Sequence, residues 1–211
     1  MNIPLKADKK IRLHNALDIY HVMRDILLLE DENDRSKEHF WTISLDNGHT
    51  VLNIELVSLG TATATLVEPM EVFSIPLQKK AVKVILVHNH PSGNIVPSYQ
   101  DEDTTDRLIQ VGLIMNVPVI DHIIITENSY YSFEESGLLA KLAKSTKYVP
   151  AFILKERYEK QAKEERAKAE LKGENSKAKE IVLRMRSEGF DVETIILATG
   201  LTKAQINRIK E

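Results

Sequence analysis

Residues 81–93 read AVKVILVHNHPSG, and the fold turns on how this stretch is read. Ala81–Val87 is short, β-branched and nearly all apolar, the pattern of a strand buried on both faces of a sheet. It delivers the chain directly into His88, Asn89 and His90. In extended backbone, residues i and i+2 point to the same side, so both imidazoles can converge on one point. Gly93 and Pro97 bracket a loop, and a helix predicted from about Tyr99 to Met115 carries Asp101 in its first turn. That loop can fold Asp101 back to the histidines. Two histidines and a carboxylate leave a tetrahedral zinc with one position open for water, the catalytic rather than the closed structural arrangement. Each piece also has a plainer reading. Paired histidines at a strand end serve as polar loop residues, and Ser98 with Asp101 forms an S-x-x-D helix cap. The cap and the ligand role are compatible, because a carboxylate in a first turn is already oriented and ionised.

Working outward, Ile19, Val22, Met23, Ile26 and Leu27 recur at helical spacing and predict an amphipathic helix over Ala16–Leu29. The polar stretch 30–38, EDENDRSKE, reads as a connection. Phe40–Leu45 and Val51–Leu59 flank Asp46-Asn47-Gly48 and predict a β-hairpin, with Asn-Gly supplying the positive φ angles of its turn. Leu52, Ile54 and Leu56 are expected on the core side of the second strand, and Asn53 and Glu55 on the other. A helix is predicted over Met70–Lys79 with Pro69 near its first turn, a strand region over Val117–Ile120 and His122–Thr126, and, after a turn at Asn128-Ser129, the segment Tyr130–Phe133. Helices alternating with strands indicate an α/β or α+β domain over residues 16–142, after an N-terminal extension of 1–15. Residues 143–176 are dense in Lys, Glu and Ala and read as a charged helical linker broken at Gly173-Glu-Asn-Ser176. Residues 177–211 hold three short helical patterns, an all-helical appendage.

The bulk properties narrow the function. The chain of 211 residues carries a formal net charge of −3, so no global positive field is present to hold a phosphate backbone. It has no cysteine, which excludes disulfides and a thiolate metal site and points to a cytoplasmic setting. The lysines and arginine of the first thirteen residues lack the apolar segment of a signal peptide. No apolar run approaches the roughly 18 residues of a membrane span.

The spacing His88-x-His90-x7-Ser98-x2-Asp101, with Pro91-Ser92-Gly93 following the second histidine, resembles the JAB/MPN (JAMM) metallopeptidases. His88-Asn89-His90-Pro91-Ser92-Gly93-Asn94 is similar to the bacterial RadC branch in particular, and the likeness continues through Asp121-His122-Ile123-Ile124-Ile125, Tyr131-Ser132-Phe133, Gly60-Thr61 and Glu71-Val72-Phe73. It covers roughly Ala16 to Leu139. The resemblance implies a cytidine-deaminase-like mixed sheet flanked by helices and a metallopeptidase that hydrolyses a peptide or isopeptide bond. It implies one zinc ion per chain on His88, His90 and Asp101, with Ser98 as hydrogen-bond donor to the developing oxyanion. A glutamate from an earlier strand would be the general base, and Glu55 is the best match. Glu68 and Glu71 compete, but one flanks a proline and the other begins a helix.

The remaining polar residues receive structural readings. His122 starts an apolar run and is expected buried and hydrogen-bonded. Asn89 and Asn94 are expected to shape the loop, and the Ser92 hydroxyl is a candidate partner for a ligand. His14, His21, His39 and His49 have no partner spacing.

The terminal patterns are similar to small helix-turn-helix units, with Thr202 as an N-cap. Lys203, Arg208 and Lys210 are offset by Glu211, so packing or self-association is expected ahead of DNA reading. RadC relatives commonly carry an N-terminal helix-hairpin-helix module, for which fifteen residues are too few. The alternative reading of function is a DNA-repair-associated or DNA-binding factor in which the domain is a binding module. A scaffold role without catalysis is weaker, because four polar groups crowded at a strand end are costly unless something satisfies them.

Overall fold

A computed structural model describes residues 11–60 and 67–209. In chain order the elements are α1 (Ala16–Leu28), α2 (Glu32–Arg35), β1 (His39–Leu45), β2 (Val51–Leu59), α3 (Pro69–Gln78), β3 (Lys83–Asn89), α4 (Tyr99–Ile114), β4 (Val119–Ile125), β5 (Tyr130–Ser132), α5 (Leu138–Leu142), α6 (Ala151–Ser187), α7 (Val192–Thr199) and α8 (Lys203–Arg208). Thr61, from the Gly60-Thr61 pair, and Lys210 and Glu211 lie outside the described residues. The chain divides into two compact units at Val149 and Pro150.

The first unit is a mixed five-stranded sheet in the order β2-β1-β3-β4-β5. Of its strand pairs, β3 and β4 run parallel, and α4 is the crossover between them. Period-two alternation along β3 assigns its side chains to two cores. Ile85 and Val87 join Ile43, Ile54, Ile123 and Ile125 under α1, which contributes Ile19, Tyr20, Met23 and Leu27. Val84 and Leu86 face the other way, onto Val72 and Phe73 of α3, Leu108 and Ile109 of α4, and Phe133. His88 continues the second series, so its ring points to the α3/α4 side of the sheet at the end of the strand. The expectation of a mixed sheet flanked by helices is met.

Three local expectations are corrected. In the β1–β2 turn the positive φ belongs to His49 (62°), not to Asn47 or Gly48. Asp46 Oδ1 accepts from the backbone N–H groups of Gly48 and Thr50, and His49 N donates to Asp46 O. The turn therefore closes on the Asp46 side chain, with one left-handed residue after it. Leu52 is 37% exposed instead of core-facing, because a register shift between Ser44 and Leu45 takes it out of alternation, while Ile54 stays fully buried. Asn53 and Glu55 do share a side, with Asn53 Nδ2 donating to Glu55 Oε2 at 3.4 Å. Gly173 does not break the charged helix: α6 runs unbroken from Ala151 to Ser187, since a single glycine costs only about 1 kcal/mol in a helix of that length.

In the second unit Val182, Ile195 and Ile206, one residue from each of α6, α7 and α8, form a small core. Asp191 and Thr202 cap α7 and α8 through their side chains, and Thr202 forms a capping box with Gln205. Among the described residues no helix is long and apolar enough to cross a membrane.

Asp121 at the start of β4 fastens that strand to β5 and the turn beyond it. Its carboxylate accepts from His122 N (2.7 Å), Glu134 N (3.0 Å) and Ser132 Oγ (2.8 Å). Burial outweighs these donors and pushes its pKa up to about 6. A raised carboxyl pKa contributes stability below the unfolded value that is lost as pH rises through about 6. Between pH 5 and pH 7.5 the wild type should lose about 1 kcal/mol of unfolding free energy that Asp121→Asn does not lose. Urea unfolding of both proteins at the two pH values measures the difference.

Candidate metal centre

The site is built where β3 ends. His90 N donates to Ile125 O at 3.0 Å, extending the parallel ladder one residue beyond β3 and holding both histidines in extended backbone. The chain then turns at Gly93, whose φ of +79° favours glycine, and returns the Asn94 carbonyl to His90 Nδ1 at 2.6 Å. A carbonyl can only accept, so Nδ1 carries the hydrogen and His90 Nε2 is left with its lone pair. Asp101 is oriented from the other side by α4. Ser98 is the N-cap and Asp101 the N3 residue of a reciprocal capping box, with Asp101 N donating to Ser98 Oγ and Ser98 N donating to Asp101 Oδ2 at 2.7 Å. The cap and the ligand geometry coexist in one residue.

His88 Nε2 and His90 Nε2 lie 2.9 Å apart, with Asp101 Oδ1 at 3.2 Å from the first and Oδ2 at 3.5 Å from the second. One ligand atom from each of the three residues falls within 4.8 Å of the others. The electrostatics of the group favour positive charge at its focus. Burial alone would raise the Asp101 pKa, but the two imidazoles and the Ser98 hydroxyl hold it far below the ordinary carboxylate range. Burial likewise opposes charge on His90, yet Asp101, the Asn94 carbonyl and the Glu38 charge raise its pKa above the usual imidazole value. A site that stabilises a cation this way, with nitrogen and oxygen donors only, fits a metal ion of intermediate hardness.

The other expected residues have different surroundings. Glu55 is opposite Thr42 in the β1–β2 ladder, whereas His88 is opposite Phe40, and the structure does not bring Glu55 into the three-residue group. The Ser98 hydroxyl donates to Asp101 Oδ2 at 2.7 Å, so its proton is directed at the carboxylate. Glu68 pairs with Arg107 at 3.2 Å, and Glu71 stands in the first turn of α3. Ser92 Oγ accepts from Asn94 N, shaping the loop. His122 is buried, as expected, with burial driving its pKa well below the ordinary value, but its Nε2 is 2.8 Å from His88 Nδ1 and so it reaches the site.

Two contributions were not visible in the sequence. Asn89, between the histidines, is 1% exposed: its Oδ1 accepts from His39 N at 2.7 Å and its Nδ2 donates to Lys37 O at 3.1 Å. That clamp fixes the backbone on both sides of Glu38, the carboxylate besides Asp101 whose charge acts on His90. Glu38 sits in the polar connection just ahead of β1, and only the antiparallel pairing of β1 with β3, Phe40 opposite His88, brings it to this end of the sheet. A cleft of 270 Å³ opens beside His90, with Arg35, Ser92, Gly93, Asn128 and Ser129 in its walls.

With this geometry in place, comparison with known proteins is decisive on family. The RadC-like JAB domain family matches residues 13–138, more than half of the chain. The chain belongs to the RadC-like JAB domain family. Among curated relatives, a UPF0758 protein of Desulforamulus reducens is 42% identical over 113 residues, covering 54% of this chain and 50% of that protein. A UPF0758 protein of Alkaliphilus metalliredigens is 38% identical over 139 residues, 64% of this chain and 60% of that one. Another, from Pelodictyon phaeoclathratiforme, is 42% identical over 106 residues, 50% and 48% respectively. The chain thus spans between about half and three fifths of the length of these relatives. The match ends before α6, leaving the helical second unit outside the RadC-like domain.

Ser98 serves the helix and the Asp101 carboxylate at once. Ser98→Ala should destabilise the metal-free chain by about 1 kcal/mol, the usual loss of an N-cap, measured by chemical denaturation. The same substitution should weaken metal binding, because Asp101 loses two of the contacts that orient it.

Proposed function

We propose that this RadC-like chain is a zinc-dependent hydrolase of peptide or isopeptide bonds, with one ion held by His88, His90 and Asp101. The observation that carries the reading is the convergence of two imidazole nitrogens and a carboxylate within 4.8 Å, at a point where positive charge is favoured. Three protein ligands rather than four is the arrangement of catalytic zinc. When bound, zinc supplies a Lewis acid that lowers the pKa of water to about 7 and polarises a carbonyl.

The protein's own groups do the rest. Glu38 takes the part of general base in preference to Glu55: Asn89 holds the backbone on both sides of it, and it stands two residues ahead of Phe40, which pairs with His88. It would accept a proton from the attacking water and return it to the departing amine. Ser98 holds Asp101 in its ligand orientation, and a donor role toward an oxyanion would require its hydroxyl to leave Asp101 Oδ2. The cleft beside His90 offers the polar walls of Ser92, Asn128 and Ser129 to an extended peptide.

The test begins with zinc content after purification under metal control, where one equivalent is expected and none would defeat the proposal. Turnover of fluorogenic peptides and ε-linked lysine isopeptides then separates the two glutamates. Glu38→Gln should keep its zinc and lose about 10²–10⁴-fold in kcat, the usual worth of a positioned general base. Glu55→Gln should retain activity, and the opposite pattern would return the base to β2.

A further inference from the structure

We propose that His122 and Thr105 form a hydrogen-bond relay that sets which nitrogen of His88 faces the metal, making both of them positioning residues for the site. The inference rests on the reading of His88, His90 and Asp101 as metal ligands. It follows from counting protons along three short contacts. Thr105 Oγ1 lies 2.5 Å from Asp101 O, one helical turn back in α4, and a carbonyl oxygen can only accept, so the threonine's single proton is committed there. Thr105 Oγ1 also lies 2.6 Å from His122 Nδ1. With its proton used, the hydroxyl must accept, so His122 carries its hydrogen on Nδ1. Neutral His122 then presents a bare Nε2 to His88 Nδ1 at 2.8 Å, and His88 must supply the proton of that bond. His88 is left with Nδ1–H turned inward and its Nε2 lone pair directed at His90 Nε2 and Asp101 Oδ1.

The relay joins two ligands from different elements. It starts at the backbone of Asp101 in α4, passes through β4 and ends on His88 in β3. His122 is firmly held between its neighbours. It is 1% exposed, its ring stacks on Phe133 at 4.7 Å between centroids, and the edge contact with Phe40 is at 5.6 Å. The other ligand histidine reaches the same tautomer by a different route, through the Asn94 carbonyl. A histidine ligand whose second nitrogen is bonded in this way is fixed in tautomer and ring orientation.

The experiment uses the full chain and zinc ion itself as the probe. Long-range ¹H–¹⁵N correlation spectra at pH 8 should show His88 and His122 both in the Nδ1–H form in the metal-free protein. Finding the proton of His88 on Nε2 overturns the proposal without any variant. Zinc affinity, read by competition with a chromophoric chelator, should fall about 10–100-fold in His122→Phe, which keeps a ring in the aromatic stack and removes the acceptor. His122→Gln, whose amide oxygen can accept in place of Nε2, should recover most of the loss, and cobalt(II) visible spectra should follow the same order. Thr105→Val should also weaken zinc binding, and it carries the test if His122→Phe does not fold. His122→Phe or Thr105→Val binding zinc as tightly as wild type would sink the relay. A wild type that binds no zinc would instead defeat the proposed function, leaving the tautomer assignment to be read from the spectra.

Discussion

Two imidazole nitrogens and a carboxylate converge where β3 ends, and positive charge at their focus stabilises the arrangement. Donor nitrogens 2.9 Å apart beside a carboxylate at 3.2 and 3.5 Å are a repulsive arrangement for the neutral rings and an attractive one once a cation is shared. Much of the first unit near the site can be read as the means of holding that arrangement. The parallel β3–β4 ladder keeps His88 and His90 extended, the capping box of α4 aims Asp101, and the Gly93 turn brings back the Asn94 carbonyl. Each of these devices is ordinary secondary-structure chemistry used at the place where three elements meet.

The side on which the site forms is a consequence of core packing. Val84 and Leu86 are committed to the α3/α4 core, so the alternation of β3 carries His88 to the same side, where the crossover helix begins. A one-residue slip of β3 would turn His88 toward α1, exchange the two cores and separate it from Asp101. Stability of the sheet and geometry of the site are in this sense the same constraint. Asn89 shows this most directly. It faces away from His88 in the strand alternation, and it uses that position to tie the chain ahead of β1 to the end of β3.

The second unit follows a different plan. A helix of 37 residues, almost wholly exposed along its charged length, ends in a three-helix core of single residues from α6, α7 and α8. Its local signals are strong, with side-chain caps at Asp191 and Thr202 and a left-handed Gly200 closing α7. The family match, over residues 13–138, ends before it.

Most of the elements and the three candidate ligands were legible along the chain, because both are local. Strand and helix periodicity, the S-x-x-D cap and the His88-x-His90 spacing are written within a few residues of one another, and geometry within one element follows from its period. Where a short-range competitor intervened, local reading erred. The Asp46 side chain organised the turn that Asn47-Gly48 was expected to make, and a bulge displaced Leu52. The surroundings of the three residues, by contrast, came from tertiary packing. His122 of β4 reaches His88, Thr105 of α4 reaches His122, and Asn89 ties the chain on both sides of Glu38 to the end of β3, an arrangement that depends on strand order and on the β1–β3 pairing. For Glu55 the strand pattern shows which side the residue takes, and only the sheet pairing shows that Thr42 stands opposite it. Spacing within a dozen or so residues was enough to pick out His88, His90 and Asp101, whereas the groups arranged around them were chosen by how the sheet pairs.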